Sequence, residues 1–375
     1  MVLNGTAPYD SRSGWVKIRA ELPACESPMK RPLLNAVDGE LESWLAERGE
    51  RPFRAGQIMA WIYARRADSF AAMTDLPARL RAALEEEWSV FETIVDHHHV
   101  APDGTDKLLL KCGDGRRVEC VLMAEEDRRT VCVSTQVGCG MGCVFCASGL
   151  KGVERNLTAG EIVEQVLRLR NLLPAEERLT NLVVMGMGES LANFDNLVAA
   201  LDRICSPSGL GLSARRVTIS TVGLPARMYD LAALDRQYHL AVSLHGATEE
   251  VRNALVPINE KVGLAAVVEA ADAYFQRSGR QVTFEYVLLR GLNDRPEDAE
   301  ALGSLLARRK SHVNLIPYNP VPGLPFERPT AEATRRFVAG VRRHGVSVSV
   351  RKTKGREIDA ACGQLRRRVE EVPVG

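Results

Sequence analysis

The sequence has almost no net charge and no long hydrophobic run. Its 375 residues include 49 lysines and arginines against 48 aspartates and glutamates, which leaves a formal net charge of +1. Overall charge therefore does not indicate nucleic-acid binding, and any such argument must rest on local clusters. No apolar stretch is long enough to span a membrane, and the first roughly 30 residues lack the order of regions that marks a secretory signal. These absences predict a cytoplasmic protein without a membrane partner.

A disulfide framework is not expected either, although the chain has nine cysteines. In a chain of this length they do not form the dense pattern of a small secreted domain. Three of them, Cys139, Cys143 and Cys146, stand at CxxxCxxC spacing, with glycines at 138, 140 and 142. Thiolates are soft ligands suited to iron–sulfur clusters, zinc or Cu(I). A thiol cluster of this kind indicates a reducing compartment.

The CxxxCxxC stretch favours a 4Fe-4S cluster with one iron left open. A cubane is normally held by four thiolates, so three thiolates leave one coordination position for a substrate. The neighbouring glycines let the chain curl around the cluster, because they adopt positive φ and have no Cβ. Zinc usually takes four ligands, often as two CxxC pairs, and no second pair is present. A zinc site and unrelated buried thiols are the alternatives at this point.

The chain before the cysteines divides into three stretches. Residues 1–32 are rich in Gly, Ser and Pro without periodicity, which predicts a mobile extension. Apolar residues recur at helical spacing over 33–93, which predicts a small helical domain. Over 94–129 the period shifts toward two, and glycines at 113 and 115 predict a β-hairpin linker.

Three adjacent histidines, His97, His98 and His99, lie in this linker. Successive side chains of a strand point to opposite faces, so the three cannot converge on one metal ion. We interpret them as linker or strand surface.

Strands and helices alternate over 130–351, which predicts a parallel sheet built of βαβ units. The predicted strands are 130–136, 181–186, 215–221, 238–244, 281–288, 312–317 and 346–351. The predicted helices are 158–172, 193–206, 224–234, 264–277, 295–308 and 330–344. Six or seven units are too few for a complete eightfold barrel, so we expect an α/β fold with a partial (β/α)6 barrel. In such folds the chemistry lies at the carboxyl ends of the strands, where the cysteine loop also lies.

Glycine and polar residues follow several predicted strands. Gly188 and Glu189 follow the second strand, and a glycine there lets a ligand approach the backbone closely. Small hydroxyl residues at strand ends bind ribose or carboxylate oxygens, but they cap helices as readily. The hydroxyl residues of this kind are Ser220 and Ser243. Two other polar candidates at strand ends are His245 and Asn319, and Asn319 lies in a proline-bounded segment that is equally typical of a turn.

The C-terminal stretch 352–375 predicts a basic loop that carries Cys362. Its lysines and arginines form a local patch suited to phosphates. Because a cationic field makes a thiol more nucleophilic, Cys362 is either a reactive thiol or an inert buried one.

These segments together resemble the RlmN/Cfr family of radical S-adenosylmethionine (SAM) RNA methyltransferases. The motifs that carry the resemblance are Gln136–Cys139 with Cys143 and Cys146, Gly186–Glu189, Ser243–His245, Val256–Asn259 and Asp359–Leu365. The resemblance covers most of the chain, from about Leu33 to Leu365. It implies a radical SAM barrel, one 4Fe-4S cluster held by Cys139, Cys143 and Cys146, and two SAM molecules per turnover.

The resemblance also implies a methyl-cysteine mechanism. Cys362 would carry a methyl group taken from one SAM, and a 5′-deoxyadenosyl radical from a second SAM would activate that group to attack adenine. Glu119 would accept the ring proton, and Cys132 would release the product through a transient disulfide with Cys362. The implied SAM contacts are Gly188, Glu189, Ser220, Ser243, Leu244, His245 and Asn319.

The implied substrate is an adenosine of the peptidyl-transferase loop of 23S rRNA, methylated at C2, together with the adenosine 3′ of the anticodon in tRNAs. The helical domain would then bind RNA, although Arg51, Arg54, Arg65 and Arg66 are by themselves typical of a solvated face. An electron donor such as flavodoxin or ferredoxin is an implied partner, and we expect a monomer.

Two departures from the family pattern leave a second function open. Ser190 stands where housekeeping members usually have proline, and Gly246 stands where Ala or Ser is commoner. The serine at position 190 is closer to the pattern of the Cfr branch. Enzymes of that branch methylate C8 of the same adenine and confer resistance to ribosome-targeting antibiotics. A non-catalytic RNA-binding protein with a cluster or zinc is the alternative from another class.

Overall fold

The computed structural model describes residues 15–16, 30–352 and 354–365. Most of the extension predicted at 1–32 and the end of the basic loop, 366–375, lie outside the described residues. The helices are α1 (Glu40–Glu47), α2 (Phe53–Tyr63), α3 (Ala78–Glu87), α4 (Ala159–Asn171), α5 (Phe194–Cys205), α6 (Pro225–Ala233), α7 (Glu249–Leu255), α8 (Asn259–Val262), α9 (Leu264–Ser278), α10 (Pro296–Leu306) and α11 (Ala331–Arg342).

The strands of the main sheet are β1 (Ile94–Val100), β2 (Thr105–Lys111), β3 (Arg117–Ala124), β4 (Arg129–Cys132), β5 (Asn181–Val184), β6 (Val217–Thr221), β7 (His239–Ser243), β8 (Val282–Leu288), β9 (Ser311–Pro317) and β10 (Ser347–Val350). The two residues Trp15–Val16 pair antiparallel with β1 at the edge of the same sheet.

Helices α1–α3 form a small unit because each contributes apolar residues to a shared core. Trp44, Ile58 and Leu84 are buried there, and Trp44 packs edge to face on Trp88 with ring centroids 6.1 Å apart. The unit lies within the range predicted for the helical domain, whose exact boundaries stay predictions.

Two arginines join this unit to α4 reciprocally. Arg170 of α4 is buried and donates to the carbonyl oxygens of Ile62 and Tyr63 at the end of α2. Arg66, which follows α2, donates to the carbonyl oxygen of Leu173 beyond the end of α4. The carboxyl end of a helix has unpaired carbonyls and a partial negative charge. Each arginine therefore supplies hydrogen-bond donors and a positive charge to the carboxyl end of the other helix.

Strands β1–β3 are antiparallel, and β3 pairs antiparallel with β4. The predicted hairpin is therefore present as β2 and β3, but it is part of the main sheet and has a third strand, where we predicted a linker. The rings of His97 and His99 stack with centroids 6.2 Å apart, while His98 hydrogen-bonds Asp106 at 2.7 Å. The histidines alternate between the two faces of a strand.

Strands β4–β10 are parallel and lie side by side in chain order. The helices α4, α5, α6, α9, α10 and α11 connect them. Sequential order without a reversal is the winding of a barrel, not of a doubly wound sheet. The predicted α/β class is confirmed, and the winding is that of a partial barrel with six crossover helices.

The alternating residues of the parallel strands separate an apolar face from a polar one. Val217 and Ile219 of β6 are buried in the core under the helices, whereas Thr218 and Ser220 of the same strand line a cavity on the other face. The outer face holds the fold together, and the inner face is available for chemistry. In the described part of the chain, no helix combines the length and apolar character needed to cross a membrane.

Candidate active site

A cavity of about 660 Å³ opens along the inner face at the carboxyl ends of the parallel strands. The predicted site residues that line it are Cys132, Cys139, Cys143, Cys146, Gly188, Glu189, Ser220, Ser243, His245, Asn319 and Cys362. Leu244 and Glu119 are the predicted residues outside this lining. The structure thus brings side chains from distant parts of the chain around one space.

The cysteine loop leaves the sheet through a short hairpin. Gln136–Gly138 pairs antiparallel with Val153–Asn156, and the amide of Cys139 donates to the carbonyl oxygen of Gly152 over 3.0 Å. Gly138 has a φ of +83°, and a Cβ at this position would lie 2.0 Å from the same Gly152 oxygen. Glycine is therefore required here, and it lets the hairpin hold the first cysteine at the strand ends.

Two of the three thiols of the loop, those of Cys139 and Cys146, receive backbone hydrogen bonds. The sulfur of Cys139 accepts one from the amide of Gly188, and the sulfur of Cys146 accepts one from the amide of Ser148. Burial raises the pKa of Cys139 to about 12 and also raises the pKa of Cys143 and Cys146. The amide donors oppose this effect, because they favour the thiolate that binds a metal.

Among the described residues, no three or more His, Cys, Asp or Glu side chains lie close enough together to hold one metal ion. A cubane places each thiolate on a different iron, so its ligands need not meet at a point. Three cavity-facing thiols on a glycine-rich loop, two of them with amide donors, fit such a cluster.

The C-terminal segment 354–365 lies against the cysteine loop and the end of β9. The amide of Ala147 donates to the carbonyl oxygen of Gly363 over 2.8 Å, and the side-chain amide of Asn319 donates to the carbonyl oxygen of Cys362 over 3.3 Å. These bonds place Cys362 between the predicted cluster ligands and a predicted SAM contact.

Cys132 lies at the end of β4 and interacts electrostatically with Cys362. Burial raises the pKa of Cys132 to about 12, and the charge of Cys362 adds to this effect. The Arg351 guanidinium faces both thiols, and the Cys362 thiolate is the main reason that the pKa of Arg351 is raised. All cysteines among the described residues are free thiols, so the disulfide predicted between Cys132 and Cys362 is not seen.

Glu119 is buried on β3 and forms an ion pair with Lys107 of β2, with Nζ 3.0 Å from Oε1. It shares one face of the sheet with Val121, which lines the cavity. The predicted base therefore lies beside the cavity, on the same face of β3 as a residue of the cavity wall.

Glu189 connects the ends of two strands. Its carboxylate accepts hydrogen bonds from the amides of Leu191 at 3.0 Å and Val222 at 2.7 Å. Burial raises the pKa of Glu189, and the amide donors lower it. The carboxylate fixes the loops after β5 and β6, where SAM contacts are predicted.

His245 adopts the left-handed conformation with a φ of +57°. Its Nδ1 accepts from the amide of Val287 over 3.1 Å, which leaves the proton on Nε2. Burial lowers the pKa of His245 to about 3, so the ring is neutral near pH 7. It packs against Phe145 of the cysteine loop with ring centroids 4.8 Å apart. Near it, the hydroxyl oxygens of Ser220 and Ser243 lie 3.5 Å apart.

Arg252 is a site residue that the sequence did not reveal. Its fully buried guanidinium donates to the carbonyl oxygens of Leu244 at 3.1 Å and Ser243 at 3.3 Å, and to the side chain of Asn259. Leu244 thus takes part through its backbone. A single arginine in a helix is typical of a solvated surface, so nothing in the spacing marks Arg252.

Glu285 was also missed, although the sequence carries a signal for it. The carboxylate of Glu285 is buried on β8 and accepts from the side-chain amide of Asn314 over 2.9 Å. Both residues line the cavity. Polar residues in otherwise apolar strands could have indicated a polar inner face.

Comparisons with known proteins agree with this geometry. Residues 32–90 match the family described as the ribosomal RNA large subunit methyltransferase N-terminal domain, and residues 133–302 match the radical SAM superfamily. A probable dual-specificity RNA methyltransferase RlmN from Rhodopirellula baltica is 54% identical over 92% of this chain and 93% of its own length. One from Bacillus licheniformis is 43% identical over 93% and 96%. The crystal structure of a radical SAM methyltransferase from Sphaerobacter thermophilus has a TM-score of 0.87 at 42% identity, covering 90% of this chain and all of that one.

The parallel sheet in sequential order, together with the radical SAM match over residues 133–302, identifies a radical SAM enzyme. Since the relatives match the chain over nearly its whole length, the class can be narrowed. The chain belongs to the RlmN family of radical SAM RNA methyltransferases. The resemblance recognised in the sequence motifs is confirmed.

Proposed function

We propose that this enzyme methylates C2 of an adenosine in 23S rRNA and of the adenosine 3′ of the anticodon in tRNAs, with Cys362 as the methyl carrier. The observation that carries the proposal is that Cys362 and Cys132 face the same cavity as the three loop cysteines. The phrase "dual-specificity" in the names of the relatives supports two RNA substrates.

The loop residues Cys139, Cys143 and Cys146 would hold one 4Fe-4S cluster with an open iron. When bound, the cluster and SAM supply a 5′-deoxyadenosyl radical. The residues that would contact SAM are Gly188, Glu189, Ser220, Ser243, Leu244, His245 and Asn319. Arg252 and Glu189 keep the strand ends that carry these contacts in place through backbone hydrogen bonds.

Three side chains would handle the methyl group and the ring proton. The methyl group on Cys362 would lose one hydrogen atom to the deoxyadenosyl radical, and its carbon would then form a C–C bond with the adenine ring. Glu119 would accept the ring proton, and the unpaired electron left on the ring would pass to the oxidised cluster. Cys132 attacks the sulfur of Cys362, so that an S–S bond forms while the S–C bond breaks. The released electron pair stays on carbon, which takes up a proton to become the product methyl group. A thiol reductant must open the disulfide before the next turnover.

The remaining partners follow from this chemistry. A one-electron donor such as flavodoxin or ferredoxin must reduce the cluster, and the thiols require a reducing compartment, which supports a cytoplasmic location. We expect the enzyme to act as a monomer.

The proposal is tested by mass spectrometry of nucleosides from rRNA and tRNA. Cells that lack the gene should lose 2-methyladenosine from both RNAs, the native gene should restore it, and the Cys362→Ala variant should not. Restoration by Cys362→Ala would rule out the carrier thiol. Loss of 8-methyladenosine instead would assign the enzyme to the C8 alternative.

A further inference from the structure

Lys107 is a buried lysine on β2 that the proposed chemistry does not use. It is 6% exposed, and lysines are almost never buried unless paired. Its partner is the carboxylate of Glu119, 3.0 Å away, which is equally buried. Because removing one partner of a buried pair leaves an uncompensated charge, the two side chains depend on each other.

The same ammonium group also contacts the segment that carries the methyl. Nζ of Lys107 donates to the carbonyl oxygen of Asp359 over 3.4 Å, three residues before Cys362. Asp359 adopts a left-handed φ of +51°. A second bond ties this segment to the same part of the sheet, since the amide of Gly355 donates to the carboxylate of Asp103 over 2.9 Å.

Two groups beside Lys107 do not compete with it for the Glu119 carboxylate. His99 lies opposite Lys107 in the register of β1 and β2. Burial and the charge of Lys107 lower the pKa of His99 to about 4, so its ring is neutral near pH 7. On the other side, Lys107 is opposite the apolar Val121 of β3.

We propose that Lys107 is a positioning residue that holds the Glu119 carboxylate and the Cys362 segment in register for removal of the ring proton. This inference rests on the proposed role of Glu119 as the base. An ammonium group has three N–H donors, so it can bind a carboxylate and a backbone carbonyl at the same time. One side chain thereby couples the position of the base to the position of the carbon that bonds to adenine.

The test separates the methylation of Cys362 from the later steps. In Lys107→Met, we expect Cys362 to gain its methyl group at the native rate, as measured by intact protein mass. Methylated RNA should form about 10- to 100-fold more slowly, which is part of the roughly 10²- to 10⁴-fold that a general base contributes. The Michaelis constant for RNA should stay unchanged, and covalent enzyme–RNA adduct should accumulate on denaturing gels. Lys107→Arg should recover most of the rate.

Lys111→Met is the matched control, because Lys111 lies at the far end of the same strand. It should behave like the native enzyme in both steps. Equal RNA turnover by Lys107→Met and Lys111→Met would overturn the inference.

Glu119→Gln distinguishes failure of this inference from failure of the proposed function. If Glu119→Gln methylates RNA at the native rate, Glu119 is not the base and both ideas fall. If Glu119→Gln is slow, the double variant Lys107→Met/Glu119→Gln decides, because it has no buried unpaired charge even where Lys107→Met alone fails to fold. A double variant no slower than Glu119→Gln supports the inference, and a further loss of tenfold or more contradicts it.

Discussion

Cys132 and Cys362 have different surroundings, which suits their different proposed roles. Cys132 is 8% exposed at a strand end, whereas Cys362 lies half-buried in a loop that faces the cavity. With a pKa of about 12, Cys132 is mostly a thiol at neutral pH and is a poor nucleophile toward SAM. Burial thus would protect Cys132, in its proposed role as resolving thiol, from being methylated itself.

The Cys132→Ala variant should trap the reaction at its last covalent stage. We expect normal methylation of Cys362 and a covalent enzyme–RNA adduct that persists, because no thiol is left to attack the Cys362 sulfur. In the native enzyme, resolution should speed up as the pH rises from neutral toward the pKa of about 12, since the thiolate fraction grows with pH. Denaturing gels at several pH values measure both effects.

Cys205→Ala provides the comparison, because Cys205 lies at the end of α5 and is not among the residues that line the cavity. It should form no persistent adduct. Release of methylated RNA by Cys132→Ala at the native rate would remove Cys132 from the mechanism.

The role of a single residue was predictable where a local sequence motif determines it. It was not predictable where the role depends on how distant strands or helices pair. The cysteine loop is a local pattern, so its three candidate ligands could be singled out from spacing, and they stay a prediction. Lys107 meets Glu119 only because β2 and β3 pair as they do. Arg252 of α7 donates to the carbonyl oxygens of Val222, which follows β6, and of Ser243 at the end of β7. Such contacts depend on the tertiary fold and leave no local signal.

At the scale of elements, the hairpin beside the cysteine loop is the support of the proposed cluster. The loop 149–152 lies over the cysteine loop, since a Cβ on Gly149 would lie 3.8 Å from the backbone of Cys143. Gly138 and Gly152 both have positive φ. They differ in the room around the Cα atom. A Cβ on Gly138 would clash with the Gly152 carbonyl, whereas a Cβ on Gly152 would meet nothing within 4 Å.

This difference predicts opposite outcomes for two similar substitutions. Gly138→Ala should displace Cys139 and lose most of the iron and sulfide bound after anaerobic reconstitution. Gly152→Ala should keep the cluster and cost roughly 1–2 kcal/mol of stability, the penalty for a left-handed non-glycine residue. Iron and sulfide analysis together with thermal unfolding measures both. Equal iron content in the two variants would show that the close contact does not position the ligands.

The boundaries of helices and strands were predictable where the apolar periodicity extends over many residues. The six predicted barrel helices agree with the structure to within two residues at each end. The first strand was predicted to run to 136 but ends at Cys132, because the chain turns there to build the hairpin of the cysteine loop. Helices α7 and α8 were missed, since stretches of seven and four residues are too short for a helical period.

At the scale of the whole molecule, the helical unit and the barrel share one apolar core, and several polar contacts also join them. Besides the reciprocal arginines, the amide of Gly160 donates to the side chain of Asn35 over 2.8 Å. The carboxylate of Glu164 accepts from the amides of Glu92 and Thr93. Directional contacts of this kind fix an orientation more than they add stability. A fixed orientation is what an RNA that contacts both parts would need.

Arg170→Met should therefore impair RNA methylation while leaving chemistry on the protein intact. The substitution leaves the carbonyls of Ile62 and Tyr63 without their donor, which costs about 1–3 kcal/mol locally. We expect faster amide hydrogen exchange in α1–α3, unchanged exchange in β5–β8, a higher Michaelis constant for RNA and a native rate of Cys362 methylation. Arg236→Met is the control, because Arg236 pairs with Asp202 on the exposed surface, where an ion pair contributes little. If α1–α3 exchange at the native rate in Arg170→Met, the arginine does not hold the helical unit, and the orientation must come from the other contacts of the interface.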